Sequence, residues 1–330
     1  MSRDLIGELV RLADPPSDAA PGCADRVQLA ARAAWHTTVR RRRRRRLFVA
    51  GGIVAAAAAA WAALSITLVR APAPVERPAT VARVTVSSGV VDARVTQSRA
   101  PLIVGSDVAA GTIVDTGRDG RAAFAFAGGE SVRVDRDTQV RFVAPGTLDL
   151  TKGAIYLDSD RARGHTETLE IRTSFGVVRD VGTQFEVRVL DNLLRVRVRE
   201  GSVNLERRRI VHSAGVGVEL RVREDGGASR RTIDISGPDW AWVENAAPPF
   251  VLEGQPLASY LRWIARETGL KVRFTDRAAE QHAARTVLHG AIDGVSPTES
   301  LGLVLPPSGA TYQSRAGTLV IGWNPPPAGR

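Results

Sequence analysis

The sequence predicts a mainly β protein with a single transmembrane helix, an extracytoplasmic β domain and a small α+β C-terminal domain. Three observations lead to this fold class. An uncharged apolar run covers residues 47–69, short alternating apolar and polar runs fill residues 81–236, and amphipathic helical patterns return after residue 250. The chain has 330 residues, of which 44% are apolar, so it can form two globular domains. Its single cysteine excludes a disulfide framework.

The apolar run 47–69 has the length and the flanking charges of a membrane-spanning helix. As a helix it extends about 34 Å, which exceeds the roughly 30 Å hydrocarbon core of a bilayer. It is too long, and too far from the N-terminus, for a cleaved signal peptide. Arginines fill positions 40–46, whereas Arg70 is the only charge close to the other end. The positive-inside rule therefore places residues 1–46 in the cytoplasm and residues 70–330 outside it.

The net charge of +10 is concentrated in the tail that precedes the apolar run. Residues 1–46 contain eleven arginines and five acidic residues, a net charge of +6, so the remainder of the chain shares +4. We interpret the arginine run as a signal for topology and for lipid headgroups. We predict no direct contact with nucleic acid.

Two amphipathic helical patterns lie in the same tail. The first places Leu5, Leu9 and Leu12 on one helical face, and the second, from Asp25, includes Trp35. A tail of 46 residues cannot bury a core of its own. These leucines and the tryptophan are our candidates for binding a partner, with helices that rest on the membrane surface as the alternative.

A proline- and alanine-rich linker, residues 70–80, leads to a region of short strands, residues 81–236. Apolar residues alternate there with polar or small ones, as in half-buried strands. Glycines at positions 129, 153, 176 and 201 each open an apolar strand, at spacings of 24, 23 and 25 residues. A repeat of this length favours a solenoid-like stack, although a β-sandwich gives a similar spacing of strands.

The last part of the chain predicts a connector and a small α+β domain. Residues 237–249 contain two tryptophans and are typical of a connector packed against a domain surface. Residues 250–323 predict the order β-α-β, β-α-β-β, with strands at 250–254 and 285–294 among them.

Sequence signals mark the ends of two helices in this domain. Pro256 and Gly269 bound an amphipathic helix. Ser296 and Glu299 form a capping box at the start of another helix. Residues 324–330 follow as a short tail.

We find no catalytic, cofactor or metal site in the sequence. The five histidines lack ligand spacing, and no nucleophile elbow, phosphate-binding loop or dinucleotide fingerprint is present. Two pairs of acids, Asp135 with Asp137 and Asp158 with Asp160, lie beside arginines and turns. That setting favours strand-end turns over a catalytic dyad or a calcium site. We therefore predict a protein that is not an enzyme and that has no cofactor.

A specific motif lies between residues 171 and 189 of the β region. Its residues are Thr173, Gly176, Gly182, Thr183, Phe185 and Val187. Together with segments 101–116, 120–142 and 148–158, this motif makes residues 84–222 resemble the FecR domain. Glycine permits tight turns, and Phe185 and Val187 share one face of their strand. We interpret the motif residues as specifying the fold rather than contacting a ligand.

The C-terminal domain carries a second resemblance. The residues concerned are Leu257, Leu261, Ile264, Ala265, Gly269, Leu270, Gly290, Leu301, Leu305 and Ile321. In their order and position they resemble the secretin/TonB short N-terminal domain.

Together the resemblances imply a FecR-family transmembrane regulator of the bacterial inner membrane. Such regulators bind an extracytoplasmic-function sigma factor through the cytoplasmic tail, as anti-sigma factors do. In the periplasm they receive a signal from a TonB-dependent outer-membrane transducer or another envelope protein. The family's usual tail is longer and richer in tryptophan than residues 1–46. The alternative function is a membrane-tethered envelope scaffold whose β domain binds peptidoglycan, another glycan or an envelope protein, with no sigma factor.

Overall fold

Short strands dominate the computed structural model, which describes residues 79–95, 98–159, 169–180 and 182–324. The protein is mainly β, as predicted. The strands up to residue 232 are β1 (Thr80–Ser88), β2 (Val91–Val95), β3 (Ser98–Pro101), β4 (Asp107–Ala109), β5 (Ile113–Thr116), β6 (Arg121–Phe126), β7 (Ser131–Val134), β8 (Gln139–Ala144), β9 (Thr147–Asp158), β10 (Glu170–Thr173), β11 (Gly176–Asp180), β12 (Gln184–Leu190), β13 (Leu193–Glu200), β14 (Ser202–Arg207), β15 (Ile210–Gly215), β16 (Val218–Arg223) and β17 (Ala228–Thr232).

These strands form two sheets. The first has the order β4, β1, β6, β7, β9, β12, β13, β16, β17. The second has the order β3, β2, β5, β8, β9, β10, β11, β14, β15. After β9, successive hairpins alternate between the sheets, and β9 itself, with 12 residues, belongs to both.

The core lies between the two sheets. The rings of Phe124 in the first sheet and Phe142 in the second are fully buried, with centroids 4.7 Å apart. Phe185 and Val187 of β12 are also fully buried in this core. Because side chains alternate along a strand, the residues between them point to the outer face of the first sheet.

The regularly spaced glycines lie where the chain turns or changes sheet. Gly129 and Gly176 lie at hairpin turns, and Gly201 joins β13 to β14, which belong to different sheets. Gly153 lies within β9 at φ +83°, and a Cβ atom there would be 2.2 Å from Oγ1 of Thr138. The regular spacing of the glycines therefore reflects the regular succession of turns along the chain. The two facing sheets share one core, as in a β-sandwich.

The residues after 237 form a helical connector and a small three-stranded sheet. A 3-10 turn (Pro238–Trp240) leads into helix α1 (Ala241–Asn245). The remaining elements are α2 (Leu257–Thr268), β18 (Lys271–Phe274), α3 (Arg277–Arg285), α4 (Pro297–Val304), β19 (Ala310–Arg315) and β20 (Thr318–Trp323). Strand β20 lies in the centre of the sheet, parallel to β18 and antiparallel to β19. We call α2 to β20 the C-terminal module.

Both predicted helix signals are confirmed. Helix α2 begins after Pro256 and ends at Gly269, whose φ of 72° lies in the left-handed region that glycine adopts readily. Helix α4 begins with a capping box in which Ser296 and Glu299 each bond the other's backbone.

Two predicted strands in this part of the chain are wrong. Segments 250–254 and 285–294 contain no strand. The chain near them forms one isolated bridge, between Pro256 and Val287, and a few backbone hydrogen bonds such as that from Gly254 to Leu288 at 2.9 Å. Proline has no N–H group, so the ladder cannot continue through position 256. Helix α3, which we did not predict, begins at Asp276, whose carboxylate accepts a 2.8 Å hydrogen bond from the backbone of Ala279.

The tail of residues 1–46, predicted to be cytoplasmic, and the apolar run lie outside the described residues. This applies to the predicted spanning segment 47–69 and to Leu5, Leu9, Leu12 and Trp35, which therefore stay predictions. Within residues 79–324 as described, no helix has the length and apolar character needed to cross a bilayer.

A buried ion cluster stabilises the far end of the first sheet. The carboxylate of Glu219 in β16 is fully buried. It accepts hydrogen bonds from Arg197 at 2.6 Å, Arg221 at 2.6 Å and Arg231 at 2.7 Å. Burial alone would raise the pKa of Glu219, but the hydrogen bonds from the three arginines outweigh burial and lower the pKa to about 2.

We expect this cluster to make the protein sensitive to acid. Because the pKa of Glu219 is lower in the folded state than its ordinary 4.5, its contribution is present above pH 4.5 and disappears as the pH falls towards 2. The ionised carboxylate of Glu219 contributes about 3 kcal/mol to the free energy of unfolding. Glu219→Gln should therefore be less stable by about that amount at neutral pH and nearly equal to wild type near the acid limit. Urea midpoints of both proteins across the pH range test this. A difference between the two midpoints that does not change with pH would contradict it.

Candidate functional site

The outer face of the first sheet carries polar side chains that are nevertheless buried. Arg133 of β7 lies between two core valines and points outward, yet it is only 1% exposed. The same alternation places polar or aromatic residues of the neighbouring strands on this face. They are Tyr156, Asp158, Gln184, Glu186, Arg197 and Arg199, all under 9% exposed. Such groups are rarely buried without partners, so another part of the chain must cover them.

The connector and the C-terminal end of α2 provide that cover. The ring of Trp240 is fully buried, 6.2 Å from the ring of Tyr156 and edge-on to it. The guanidinium of Arg199 lies 4.4 Å from the centre of the Trp240 ring, a cation–π contact. The prediction that the connector packs against a domain surface is confirmed. We call the contact of this outer face with the connector and α2 the polar seam.

Arg133 is at the centre of the polar seam. Its guanidinium donates to the backbone carbonyl of Val243 at 2.8 Å and to the carboxylate of Glu267 at 2.5 Å. Burial by itself lowers the pKa of Arg133, but the charge of Glu267 and its hydrogen bond, together with the electrostatic effects of Tyr156 and Asp158, outweigh burial, so the pKa lies above its ordinary value. Arg133 therefore remains charged and fixes both α1 and α2 to strand β7.

A second set of bonds fixes the end of α2. Arg266 makes a two-pronged ion pair with Asp158 of β9, in which Nε donates at 3.0 Å. Arg199 of β13 donates to the backbone carbonyl of Glu267 at 2.8 Å, and Gln184 donates to that of Arg266 at 3.3 Å. These carbonyls have no partner within the helix, and a cation there favours the helix dipole.

The connector makes a further bond beside this set. The indole N–H of Trp242 donates to Glu186 of β12 at 2.8 Å, and Arg195 of β13 donates to the same carboxylate at 2.7 Å. The seam thus joins the C-terminal module to β7, β9, β12 and β13. Moving the module away would break buried, charge-assisted bonds at several points.

Two clefts flank helix α1 next to the seam. One, of about 360 Å³, is lined by residues of the connector, the end of α2 and the start of α4. The other, of about 390 Å³, lies towards β1, and Glu244 and Asn245 line both. Burial raises the pKa of Glu244, although the hydroxyl of Thr298 donates to its carboxylate at 2.5 Å. In the part of the chain that the structure describes, no group of three or more His, Cys, Asp or Glu residues is placed to hold a metal ion.

The predicted motif residues lie apart from the polar seam's charged centre. The hydroxyl of Thr173 donates to the carbonyl of Gly176 at 2.9 Å and closes the β10–β11 hairpin. A Cβ atom at Gly176 would be 2.4 Å from the carbonyl oxygen of Glu206, so this position requires glycine. Gly182 has a φ of 75°, and Thr183 is 1% exposed. That these residues and the buried Phe185 and Val187 specify the fold stays a prediction.

The paired acids have different surroundings. Asp135 is 3% exposed and pairs with Arg121 at 3.0 Å and Arg188 at 2.7 Å. Asp137 lies in a turn at φ 52°, as predicted. Asp158 belongs to the polar seam, and its predicted companion at position 160 lies outside the described residues.

Sequence reasoning missed the polar seam itself. Its outward-facing residues alternate with core valines in the way that solvent-exposed residues do. A signal was present in segments such as LRVRVRE, where arginines and glutamates of adjacent strands can pair across the sheet. The partners lie 110 and 134 residues away from Arg133, so no local pattern could identify them.

Comparison with known proteins gives one family and a distant structural likeness. Residues 112–204 match the family described as FecR protein. The match runs from the start of β5 into β14, the central part of the predicted resemblance at 84–222. No curated protein matches the chain in sequence.

The structural likeness is to a candidate anti-sigma factor from Parabacteroides distasonis. Two of its crystal structures, at 2.50 and 1.65 Å resolution, are similar to this chain. Each shares 16% sequence identity, covers 64% of this chain and 99% of that chain, and has a TM-score of 0.35.

Proposed function

We propose that this chain is a single-pass regulator that relays an envelope signal to an extracytoplasmic-function sigma factor, as an anti-sigma factor. The FecR match at residues 112–204 is the observation that carries the proposal. In this proposal the tail, residues 1–46, binds the sigma factor in the cytoplasm, and residues 47–69 cross the bacterial inner membrane. The β domain and the C-terminal module then lie in the periplasm. The module, similar to the secretin/TonB short N-terminal domain, receives the signal from a TonB-dependent transducer or another envelope protein.

The polar seam supports this proposal because it gives a signal a physical route. A force on the C-terminal module acts through Arg133 and Glu267 on strand β7. Strand β7 pairs with β6, and β6 pairs with β1, the strand that follows the linker. The route therefore consists of buried ion pairs and hydrogen-bonded strands up to the point where the chain leads to the proposed membrane span.

Replacing two leucines of the tail with aspartate should abolish sigma-factor binding. We expect Leu5→Asp with Leu9→Asp to weaken binding more than about a hundredfold, because a carboxylate in an apolar groove costs several kcal/mol and about 1.4 kcal/mol is tenfold in affinity. A pull-down or two-hybrid assay with candidate extracytoplasmic-function sigma factors of the same bacterium provides the measurement.

The matched control is Arg3→Gln with Arg11→Gln. It changes the net charge of the tail by the same amount but alters the opposite face of the predicted helix, so binding should persist. In both variants a periplasmic reporter fused after Gly322 should stay active, and one fused after Val39 should stay silent. A wild-type tail that does not bind, or a leucine variant that binds undiminished, would favour the envelope scaffold instead.

A further inference from the structure

Among the described strands, β15 pairs only with β14 and so forms an edge of the second sheet. Of the other edge strands that the structure describes in these two sheets, β3 ends in a proline, β4 has three residues and β17 carries two arginines. Such features prevent pairing with another chain. Strand β15 has six residues, with no proline, no lysine or arginine and no shift of register against β14. Its residues Ile210 and Val211 are 59% and 58% exposed.

The backbone of β15 has groups that face away from the sheet. Arg207 and Ile210 flank a two-residue turn, so they form a hydrogen-bonded pair. Bonded and non-bonded pairs alternate along an antiparallel ladder, so every second residue after Ile210 directs its backbone N–H and C=O groups away from β14. These are Val211, Ser213 and Gly215. The carbonyl of Ser213 accepts a 3.1 Å bond from Arg230, an exposed side chain that an incoming strand can displace.

The turn next to this edge is positively charged and strained. Arg208 and Arg209 have φ angles of 45° and 70°, in the left-handed region that a two-residue turn requires and that asparagine and glycine adopt best. Both side chains are exposed, and neither makes an ion pair with any residue that the structure describes. The neighbouring Arg207 bonds only backbone carbonyls, those of residues 223 and 224, at 2.5 and 2.6 Å. The carboxylate of Asp225 acts on Arg207 electrostatically, but among the described residues no carboxylate forms an ion pair with Arg208 or Arg209.

We propose that the free edge of β15 receives an extended, acidic segment of a partner protein as an additional strand. The main-chain groups of Val211, Ser213 and Gly215 would bond the incoming strand, and Ile210 and Val211 would contact its apolar side chains. The guanidiniums of Arg208 and Arg209 select acidic residues at the end of that strand. This binding does not depend on the proposed sigma-factor function.

The charges argue against a second copy of this chain as the occupant. Strand β15 contains no acidic residue, and Arg230 lies directly beside it. Pairing two such edges would bring arginines of both copies to one interface without carboxylates to balance them. Like charges at a contact disfavour it, whereas an acidic strand complements it.

The test uses the full chain in detergent and two synthetic peptides. Both peptides alternate valine and threonine, and one ends in glutamates where the other ends in lysines. We expect the glutamate peptide to bind at least about tenfold more tightly, with a preference that falls as salt rises. Fluorescence anisotropy of labelled peptides provides the affinities.

Two variants separate binding from folding. Arg208→Asn with Arg209→Gly installs the best residues for this turn, so the variant should be more stable and yet lose the preference for glutamate. The N–H group of Val211 faces away from β14 and makes no bond to it. Val211→Pro removes this group, so it should abolish binding of both peptides while leaving the pairing with β14 intact. Arg99→Asn on edge β3 should change neither affinity.

Three results would overturn the proposal. The first is equal binding of the glutamate and lysine peptides by the wild-type chain. The second is undiminished binding by Val211→Pro in a protein that remains folded by circular dichroism. The third is self-association in sedimentation equilibrium that Val211→Pro removes, which would make a second copy the occupant.

Discussion

Phe185→Ala is expected to destabilise the protein by about 3 to 5 kcal/mol. The ring is fully buried in β12, opposite Leu157 of β9 and Val198 of β13, and it belongs to the core between the sheets. Strands on both sides hold the surrounding side chains, so the cavity that the ring leaves cannot close easily. Domains of this kind are stable by only about 5 to 15 kcal/mol, so the variant should unfold at a much lower urea concentration.

The measurement is urea denaturation of the full chain followed by far-UV circular dichroism. Leu190→Ala is the matched control, because Leu190 ends the same strand and is 41% exposed. We expect the control to cost less than about 1 kcal/mol. Equal midpoints for Phe185→Ala and wild type would show that the ring contributes little to the core.

The β architecture could be predicted because its signal is local. Inward and outward residues alternate within a strand of a few residues, so the pattern around Phe185 and Val187 already places both on one face. Turn glycines carry a similar local signal, as at Gly176, where the backbone cannot accommodate a Cβ atom. The arrangement of hairpins in two sheets is a long-range property, and the sequence left a solenoid and a sandwich open.

The errors in the C-terminal module also have physical causes. Segment 250–254 contains apolar residues typical of a strand, but Gly254 has a φ of 74° and Pro256 follows it. The turn and the missing N–H group prevent a regular ladder, so one bridge at Pro256 and a few backbone hydrogen bonds take the place of the predicted strand. Helix α3 was missed because the residues it buries, Ala279 and Ala283, are small, and most of its other residues are polar or charged.

The candidate site was the least predictable part. Arg133, Tyr156 and Glu186 read as solvent-facing residues of half-buried strands, and only the three-dimensional contacts show that the connector covers them. The two tryptophans of the connector indicated that a surface lay opposite them. The polar side chains of this face form a buried bonding network only because the connector, which is distant in sequence, excludes water from them.

Breaking the central ion pair of the polar seam from one side is the second change with a large expected effect. Arg133→Met should destabilise the protein by about 3 to 5 kcal/mol, because it leaves the carboxylate of Glu267 buried without its partner. Glu267→Met should cost a similar amount, since the guanidinium of Arg133 is 1% exposed and cannot reach water. Arg172→Met provides the contrast: Arg172 pairs with Glu170 but is 52% exposed, so the loss should be at most about 1 kcal/mol.

The double variant decides whether the pair acts as a unit. With both Arg133 and Glu267 replaced by methionine, no buried charge remains unpaired, so the total loss should be smaller than the sum of the single losses by about 2 to 3 kcal/mol. Part of the loss should remain, because the carbonyl of Val243 has then lost its donor at 2.8 Å. Urea midpoints of the four proteins give the coupling free energy. Strictly additive losses would show that the two side chains do not depend on each other, and that the seam holds the C-terminal module through Arg266, Arg199 and the tryptophans instead.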